Sequence, residues 1–179
     1  MKFLSSIVQT RITTPLGDMV LAATHLGLAG TWFTDQRHLP EALDFKSIPH
    51  SWPRNDRHPV LLQTKQQLAE YFAGQRQTFD LPFDLSGGTA FQQAGWRVVL
   101  TISFGKSIAY GDVARHIGNP AAVRAVGAAV GRNPIGIIVP CHRVIGANGA
   151  LTGYAGGLHR KVALLKLEGT ASAKEFQLN

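Results

Sequence analysis

The chain has 179 residues, enough for one large domain or two small ones, and its 45% hydrophobic and 16% charged residues exclude a disordered protein. Its single cysteine, Cys141, excludes an internal disulfide and every zinc site built from several cysteines. No apolar run has the length of a membrane span or a signal peptide. We therefore expect a cytoplasmic protein with no membrane partner, no metal and no cofactor.

The net charge of +7 is unevenly distributed along the chain. Residues 1–87 carry eight Lys/Arg and eight Asp/Glu, whereas residues 88–179 carry ten Lys/Arg and three Asp/Glu. The second half also contains the cysteine. This placement suggests a polyanionic partner for that half, although basic soluble proteins are common and charge alone does not decide the matter.

In the first half, the apolar pattern predicts two hairpin strands, a loop, a helix and a third strand. In chain order these elements cover residues 3–12, 18–33, 34–58, 60–72 and 75–87. The turn signal Pro15-Leu16-Gly17-Asp18 separates the first two strands, and Gly74 ends the helix. The third strand is predicted from strict alternation of apolar and polar residues.

After a boundary at Ser86-Gly87-Gly88-Thr89 the pattern becomes helical, with helices expected over residues 91–102, 110–117 and 120–130. Asn119 is predicted as the N-cap of the third helix and Pro120 as its first residue. The last two helices are a helix-turn-helix candidate. We predict an α/β protein of the α+β type. Its small N-terminal domain, residues 1–87, has an antiparallel sheet and a helix, and its mostly helical C-terminal domain comprises residues 88–179.

The third helix has two different faces. Its inward face would consist of Val123, Val126 and Val130. Its outward face would consist of Ala121, Arg124, Ala125 and Ala128. A smooth face with one cation can approach a nucleic-acid backbone closely, and the arginine can enter a groove or the base stack. Alanine is also the best helix former, so a helix packed on both sides remains an alternative.

Cys141 follows an apolar run, Ile135 to Val139, that predicts a buried strand. A free thiol is only a few per cent ionised at neutral pH, so a nucleophilic cysteine needs a base or a stabilising field. His142 is adjacent in sequence but can reach the sulfur only through a bend or a bridging water. Most buried cysteines are inert, and the Cys-His pair alone leaves that alternative open.

An imidazole that acts as a base needs a group to orient it, usually a carboxylate. Of the acids Asp112, Glu168 and Glu175, we choose Glu168, because it follows an apolar helix that could fold back onto the cysteine. The amide of Asn133 could tie its turn to the strand or orient the thiol. A Gly-rich loop, residues 149–157, allows the close approach of a flat ligand but matches no phosphate-binding fingerprint.

The stretch from Phe91 to Gly169 resembles the methylated-DNA–protein-cysteine methyltransferases, also called O6-alkylguanine-DNA alkyltransferases. The signature is Pro140-Cys141-His142-Arg143-Val144. The other matching motifs are Tyr110, Asn119-Pro120, residues 122–127, Arg132-Asn133-Pro134, residues 154–158 and Leu167-Glu168-Gly169. The N-terminal half looks like that of the bacterial members. Unlike some relatives, the chain has no N-terminal cysteine for a zinc site, and it has Ala155 where some have serine.

The resemblance implies a role for each catalytic residue. Cys141 would take the alkyl group, His142 would act on the thiol through water with Glu168 behind it, and Asn133 would help to orient the site. Tyr110 would offer its hydroxyl to a ring nitrogen of guanine, so that the base leaves neutral.

The resemblance also implies how the substrate is held. Arg124 would fill the gap left by an extruded nucleotide, on a DNA-contacting surface that includes Tyr110 and the alanines of the smooth helix face. The carbonyls of Cys141 and Val144 would accept from the guanine amino group. The pocket residues would be Val144, Tyr154, Ala155 and Gly156, with the Ala155 N–H donating to the alkylated oxygen.

The implied activity is single-use repair of double-stranded DNA that carries O6-alkylguanine, and less readily O4-alkylthymine, by a monomer. Two other functions compete with it. A non-catalytic helix-turn-helix binder of alkylated DNA would not need Cys141. A cysteine hydrolase would need an oxyanion hole and a route for turnover, and nothing in the sequence indicates a substrate other than DNA.

Overall fold

In the computed structural model of the protein, the described residues are 6–43 and 52–170. The chain divides into two compact units with their border between Gly88 and Thr89. No helix in the described ranges is long and apolar enough to cross a bilayer. Across the same residues, no three His, Cys, Asp or Glu side chains are grouped as metal ligands would be.

The first unit is a three-stranded antiparallel sheet in the order β1-β2-β3 with one long helix packed on it. Its elements are β1 (Val8–Thr14), β2 (Gly17–Thr24), β3 (Gly27–Phe33), a 3-10 turn (Glu41–Leu43) and α1 (Pro59–Phe72). The sheet, the hairpin and the helix confirm the predicted mixture of helix and antiparallel sheet. Residues 3–5 and 44–51 of the predicted strand and loop lie outside the described part.

The strand predicted over residues 18–33 is two strands, β2 and β3. The chain turns at His25 and Leu26, and Gly27 has a φ of 143°, which strains any residue with a side chain. The residues on both sides of this turn are apolar, so the sequence pattern predicts one continuous strand.

The strand β2 is buried on both faces. Val20 and Ala22 belong to a cluster with Trp32 and Leu43, and the helix α1 contacts all three strands. Sheet residues alternate between faces, so a strand covered on both sides is apolar at successive positions.

The third strand predicted over residues 75–87 is wrong. The segment forms only an isolated bridge between Leu28 and Phe83. The Leu28 N–H donates to the Pro82 carbonyl at 2.8 Å, and the Asp84 N–H donates to the Leu28 carbonyl at 2.8 Å. Pro82 has no N–H with which to extend a ladder. The segment therefore makes only these two hydrogen bonds to Leu28 and does not form a strand.

The second unit is mostly helical. Its elements are α2 (Ala90–Leu100), β4 (Ile108–Ala109), α3 (Tyr110–His116), a 3-10 turn (Pro120–Ala122), α4 (Val123–Gly131), a 3-10 turn (Cys141–Arg143), β5 (Val144–Ile145) and α5 (Leu158–Leu167). Thr89 and Gln92 form a reciprocal capping box at the start of α2. The fully buried Trp96 joins α2 to α4, because its Nε1 donates to the Ala129 carbonyl at 2.9 Å.

The start of α4 differs from the prediction. Asn119 makes no side-chain capping bond, and Pro120 begins a 3-10 turn, so the α-helix starts at Val123. Val123 was expected to point inward, but it is 40% exposed in this first turn. The buried face consists instead of Val126, Ala129 and Val130.

The buried strand predicted over Ile135–Val139 is a compact turn. Its Val139 N–H donates to the Ile135 carbonyl at 2.8 Å, and Ile137 has a φ of 71°. The isoleucines and Val139 are almost completely buried, as a core strand would be. An apolar run shows that a segment is buried, but it does not show whether the backbone is extended.

Candidate active site

Cys141 opens the 3-10 turn that follows this apolar turn, and it is 8% exposed. The side chain of Asn133 contacts both the apolar turn and the cysteine. Its Nδ2 donates to the Val139 carbonyl at 2.7 Å and lies 3.1 Å from Cys141 Sγ, while its Oδ1 accepts from the Ile135 N–H at 3.0 Å. The one amide therefore fixes the turn and the sulfur together.

His142, Arg143 and Glu168 form a buried cluster beside the cysteine. His142 Nε2 lies 2.8 Å from Glu168 Oε1. Arg143 donates to both oxygens of the same carboxylate, from Nε at 2.8 Å and from Nη2 at 2.9 Å. A further Arg143 hydrogen bond goes to the Ile102 carbonyl. The carboxylate of Glu168 thus neutralises the arginine and orients the imidazole.

The charge states of this cluster follow from its burial and its partners. Burial alone would raise the pKa of Glu168, but the hydrogen bonds from His142 and Arg143 lower this pKa to about 2. Burial lowers the pKa of His142, and this effect exceeds the opposing effect of Glu168. The imidazole is therefore neutral at pH 7, with its proton on Nε2 facing the carboxylate. Its Nδ1 has no hydrogen-bond partner among the described atoms and can accept a proton.

The cysteine itself is a protonated thiol at neutral pH. Burial raises the pKa of Cys141, although the Asn133 hydrogen bond and the charge of Lys161 partly oppose this. The sulfur therefore needs a base at the moment of reaction. The Nδ1 of His142 is the acceptor in this cluster that is free to be that base.

Two tyrosines approach the cysteine from other elements. The parallel pairing of β4 with β5 places Tyr110, the first residue of α3, after a strand that runs beside Val144. Burial raises the pKa of Tyr110, and a side-chain hydrogen bond with Thr152 opposes this rise. Burial also raises the pKa of Tyr154. Both phenols keep their protons at neutral pH and can act as donors.

The expected outward face of α4 is exposed. Arg124, Ala125 and Ala128 of α4 are exposed to solvent, and so is Ala121 in the 3-10 turn that precedes the helix. The half-buried Gly127 of the same helix faces Tyr110, and a methyl group added there would lie 4.0 Å from the Tyr110 ring, in ordinary van der Waals contact. The helices α3 and α4 therefore lie close together at the tyrosine, with room for one more methyl group between them.

The pocket residues lie on β5 and on the loop before α5. The Val144 N–H donates to the Cys141 carbonyl. The Val144 carbonyl accepts from Lys161 Nζ at 2.6 Å, and the Gly156 carbonyl accepts from Arg160 Nη1 at 2.9 Å. A carbonyl has two lone pairs, so Cys141 and Val144 can each accept a further hydrogen bond. Tyr154 and Ala155 are half-buried in the same loop.

Three buried cations, Arg143, Arg160 and Lys161, were not predicted as site residues from the sequence. The sequence contains a signal for one of them. Lys161 precedes Glu168 by seven residues, on the helix stripe that carries Leu164 and Leu165. If the helix turns Glu168 toward the cysteine, it turns Lys161 inward as well.

Comparisons with known proteins cover both units. Residues 7–85 match the family model for the ribonuclease-like domain of 6-O-methylguanine DNA methyltransferase. Residues 90–170 match the model for the DNA binding domain of 6-O-methylguanine DNA methyltransferase.

Curated relatives and a solved structure agree with the family models. A methylated-DNA–protein-cysteine methyltransferase of Methanosarcina acetivorans is 46% identical over 156 residues, which are 87% of this chain and 94% of that protein. One from Mycobacterium bovis is 42% identical over 167 residues, 93% of this chain and 95% of that protein. A crystal structure of Mycobacterium tuberculosis OGT in complex with DNA has a TM-score of 0.80 and 43% identity, and covers 93% of this chain and 96% of that chain. With its cysteine and its two matched domains, the chain belongs to the methylated-DNA–protein-cysteine methyltransferases, enzymes that transfer a methyl group to a cysteine of their own.

Proposed function

We propose that the chain repairs O6-alkylguanine in double-stranded DNA by moving the alkyl group irreversibly to Cys141, and O4-alkylthymine less readily. The observation that carries the proposal is the hydrogen bond from Asn133 that fixes the sulfur of Cys141, together with the following residue, a neutral His142 that is paired with an ionised Glu168. The family relationship supplies the reaction class, and these contacts supply the acceptor, the base and the group that orients the base.

The reaction begins with proton transfer from the thiol to His142 Nδ1, directly or through one water. The imidazolium that forms is stabilised by Glu168, whose carboxylate stays ionised because its pKa is about 2. The thiolate attacks the alkyl carbon, an S–C bond forms, and the C–O bond to the base breaks with its electron pair on O6. Tyr110 gives a proton to a ring nitrogen, so guanine leaves neutral. The imidazolium of His142 then returns its proton through water to the phenolate of Tyr110, so the net transfer carries the thiol proton to the base.

The product explains why one protein molecule repairs one lesion. The alkylated Cys141 is a thioether, which water does not readily hydrolyse. No group near the sulfur in the described part of the chain offers a second nucleophile of comparable strength. We therefore propose single-turnover repair by a monomer.

The test is to mix the protein with a duplex that contains one O6-methylguanine and to measure the masses of its peptides. We expect the Cys141 peptide to gain one methyl group per repaired base, with at most one repair per protein. A Cys141→Ala variant should bind the duplex without repairing it. An unmodified Cys141 peptide after repair, or several repairs per protein, would exclude the proposal.

The access of the lesion to the sulfur also requires base flipping. The methyl group of O6-methylguanine lies inside the duplex, and Cys141 is only 8% exposed, so the nucleotide must leave the stack at a cost of a few kcal/mol. Arg124, the exposed cation on the smooth face of α4, would fill the gap and stabilise the opened duplex.

An Arg124→Ala variant tests this role separately from the chemistry. We expect the repair of duplex DNA to slow about tenfold or more, because the arginine offsets part of the flipping cost of a few kcal/mol, and about 1.4 kcal/mol corresponds to a tenfold change in rate. Reaction with O6-methylguanine as the free base should be unchanged, since it needs no flipping. Arg57→Ala, at an exposed position of the first unit, is the matched control. Equal slowing on both substrates would contradict a role in flipping.

A further inference from the structure

The loop before α5 contains a buried arginine contact to which the reaction described above gives no role. The Gly157 N–H donates to the Tyr154 carbonyl at 3.0 Å, which closes a β-turn with Ala155 and Gly156 at its centre. The Gly156 carbonyl accepts from Nη1 of Arg160, in the first turn of α5, at 2.9 Å. Arg160 is 7% exposed, so this charged hydrogen bond lies in an environment of low dielectric constant and is strong.

These two hydrogen bonds connect the guanidinium of Arg160 to the N–H of Ala155. The C=O and N–H bonds of a trans peptide group point in opposite directions, and the peptide groups of the described residues are trans. The Gly156 carbonyl and the Gly157 N–H share one peptide group, and the Tyr154 carbonyl and the Ala155 N–H share another. The chain of hydrogen bonds therefore begins at Arg160, passes through two peptide groups and ends at the Ala155 N–H.

The Ala155 N–H is available to a substrate beside the cysteine. No backbone carbonyl in the described ranges accepts a hydrogen bond from it, and Ala155 is half-buried. The same loop is held against the strand that follows Cys141, because Lys161 Nζ donates both to the Val144 carbonyl at 2.6 Å and to the Thr152 carbonyl at 3.0 Å. The last donor of the chain thus belongs to a loop that is fixed near the reacting sulfur.

The transfer creates a need for such a donor. When the C–O bond breaks with its electron pair on O6, negative charge develops on that oxygen, and a donor held in place there lowers the barrier. A cation at the other end of a hydrogen-bonded chain polarises each N–H along the chain, by roughly 10–30% per bond. Contacts on both sides of the peptide group between Gly156 and Gly157 also fix the direction in which the turn presents its remaining N–H.

We propose that Arg160 is a positioning residue for the leaving oxygen: through the two peptide groups of the turn it orients and polarises the Ala155 N–H, which donates to O6 of the alkylated base. The inference rests on the proposed function and deepens it, since it names the group that stabilises the oxygen while its bond to the alkyl carbon breaks. Arg160 acts through the turn and does not touch the base.

The experiment compares single-turnover methyl transfer from O6-methylguanine and from S6-methyl-6-thioguanine in otherwise identical duplexes. A thioether sulfur is a weak hydrogen-bond acceptor, so the second substrate depends little on the donor. Arg160→Met should slow transfer from oxygen about fivefold, as expected when one neutral hydrogen bond is lost, and transfer from sulfur less than about twofold. Arg160→Lys keeps a cationic donor and should restore most of the rate. Lys166→Met, which removes an exposed charge from the same helix, should change either rate less than about twofold.

A second variant removes the donor itself. Ala155→Pro deletes the N–H at the second position of the turn, where proline is favoured, and should slow only the transfer from oxygen, about fivefold or more. In the Ala155→Pro background, Arg160→Met should not change the ratio of the oxygen rate to the sulfur rate any further, because the group that Arg160 orients is absent.

The ratio of the two rates decides the inference, since it does not depend on the amount of folded protein. Equal slowing of both substrates by Arg160→Met, or a ratio equal to that of the wild type, would overturn the inference while Cys141 is still methylated. If Arg160→Met does not fold, Arg160→Gln, which keeps a neutral donor without the charge, replaces it, and an unchanged ratio would again overturn the inference. Failure of the wild-type protein to methylate Cys141 would instead overturn the proposed function, and the inference with it.

Discussion

The two units of the chain are of similar size but bury different chemistry. Among the described residues, the first unit buries hydroxyls, one glutamine and a single charged group, Asp84. The second unit buries His142, Arg143 and Glu168 around the cysteine, and Arg160 and Lys161 behind the pocket loop. Because a buried charge costs much more than a buried hydroxyl, this contrast marks the second unit as the one adapted for reaction.

The two units differ more clearly in the charged groups that they bury than in their net charge. The positive charge of the second half suggested a polyanionic partner, but surface charge says nothing about chemistry. Asp84 is held by neutral partners, since it accepts from Thr24 Oγ1 at 2.6 Å and from the Ser86 N–H at 2.9 Å. Glu168 is held by an arginine and by a histidine that, in the proposed reaction, acquires a charge.

Replacing one buried carboxylate in each unit is the strongest test of this difference. Glu168→Gln should destabilise the protein by about 3–5 kcal/mol, because it leaves the buried Arg143 without a counter-charge. Asp84→Asn should cost about 1–2 kcal/mol, because only hydrogen bonds to neutral groups are weakened. Denaturant unfolding measures both losses, and methyl transfer should fall only in the Glu168 variant. Similar losses of stability in the two variants would show that the units do not differ in this way.

Acid should unfold the second unit in a defined pH window. The pKa of Glu168 is about 2 in the folded protein and 4.5 in the reference state, so its stabilising effect is complete above pH 4.5 and is lost as the pH falls toward 2. The loss is about 3 kcal/mol. Hydrogen exchange measured by mass spectrometry along a pH series should show faster exchange in α5 within this window. Glu168→Gln should remove that pH dependence, and its persistence in the variant would assign it to another group.

A methyl group added at one glycine of each unit should change the stability of the protein in opposite directions. In Gly30→Ala the methyl group would overlap the Trp32 ring, so we expect a loss of about 1–3 kcal/mol. In Gly95→Ala it meets no described atom outside its own helix within 4 Å. Gly95 lies in the interior of α2, so the change should stabilise the protein by about 0.5–1 kcal/mol. Thermal denaturation would measure both, and a destabilised Gly95→Ala would contradict open space at that position.

Periodicity predicted the helices well and the strands poorly. The spacing of apolar residues located α1, α2 and α3 to within a few residues, because a helix is stabilised by hydrogen bonds and side-chain contacts close in sequence. The strand predicted over residues 75–87 and the extended conformation predicted for Ile135–Val139 are wrong. Alternation and apolar runs report burial, while a strand also needs a partner that sequence spacing does not identify.

By itself, the sequence determined the order of the helices α1, α2 and α3, the partition of charge, the candidate nucleophile Cys141 and the resemblance that its motifs carry. Asn133, His142 and Glu168 could be named in advance, since each stands at a matching motif position. The tertiary structure alone decided the protonation of the imidazole, the pairing of Arg143 with Glu168 and the burial of Lys161. These depend on contacts between residues as much as 26 positions apart in the chain, such as His142 and Glu168, and burial and charge neutralisation exist only once those contacts form.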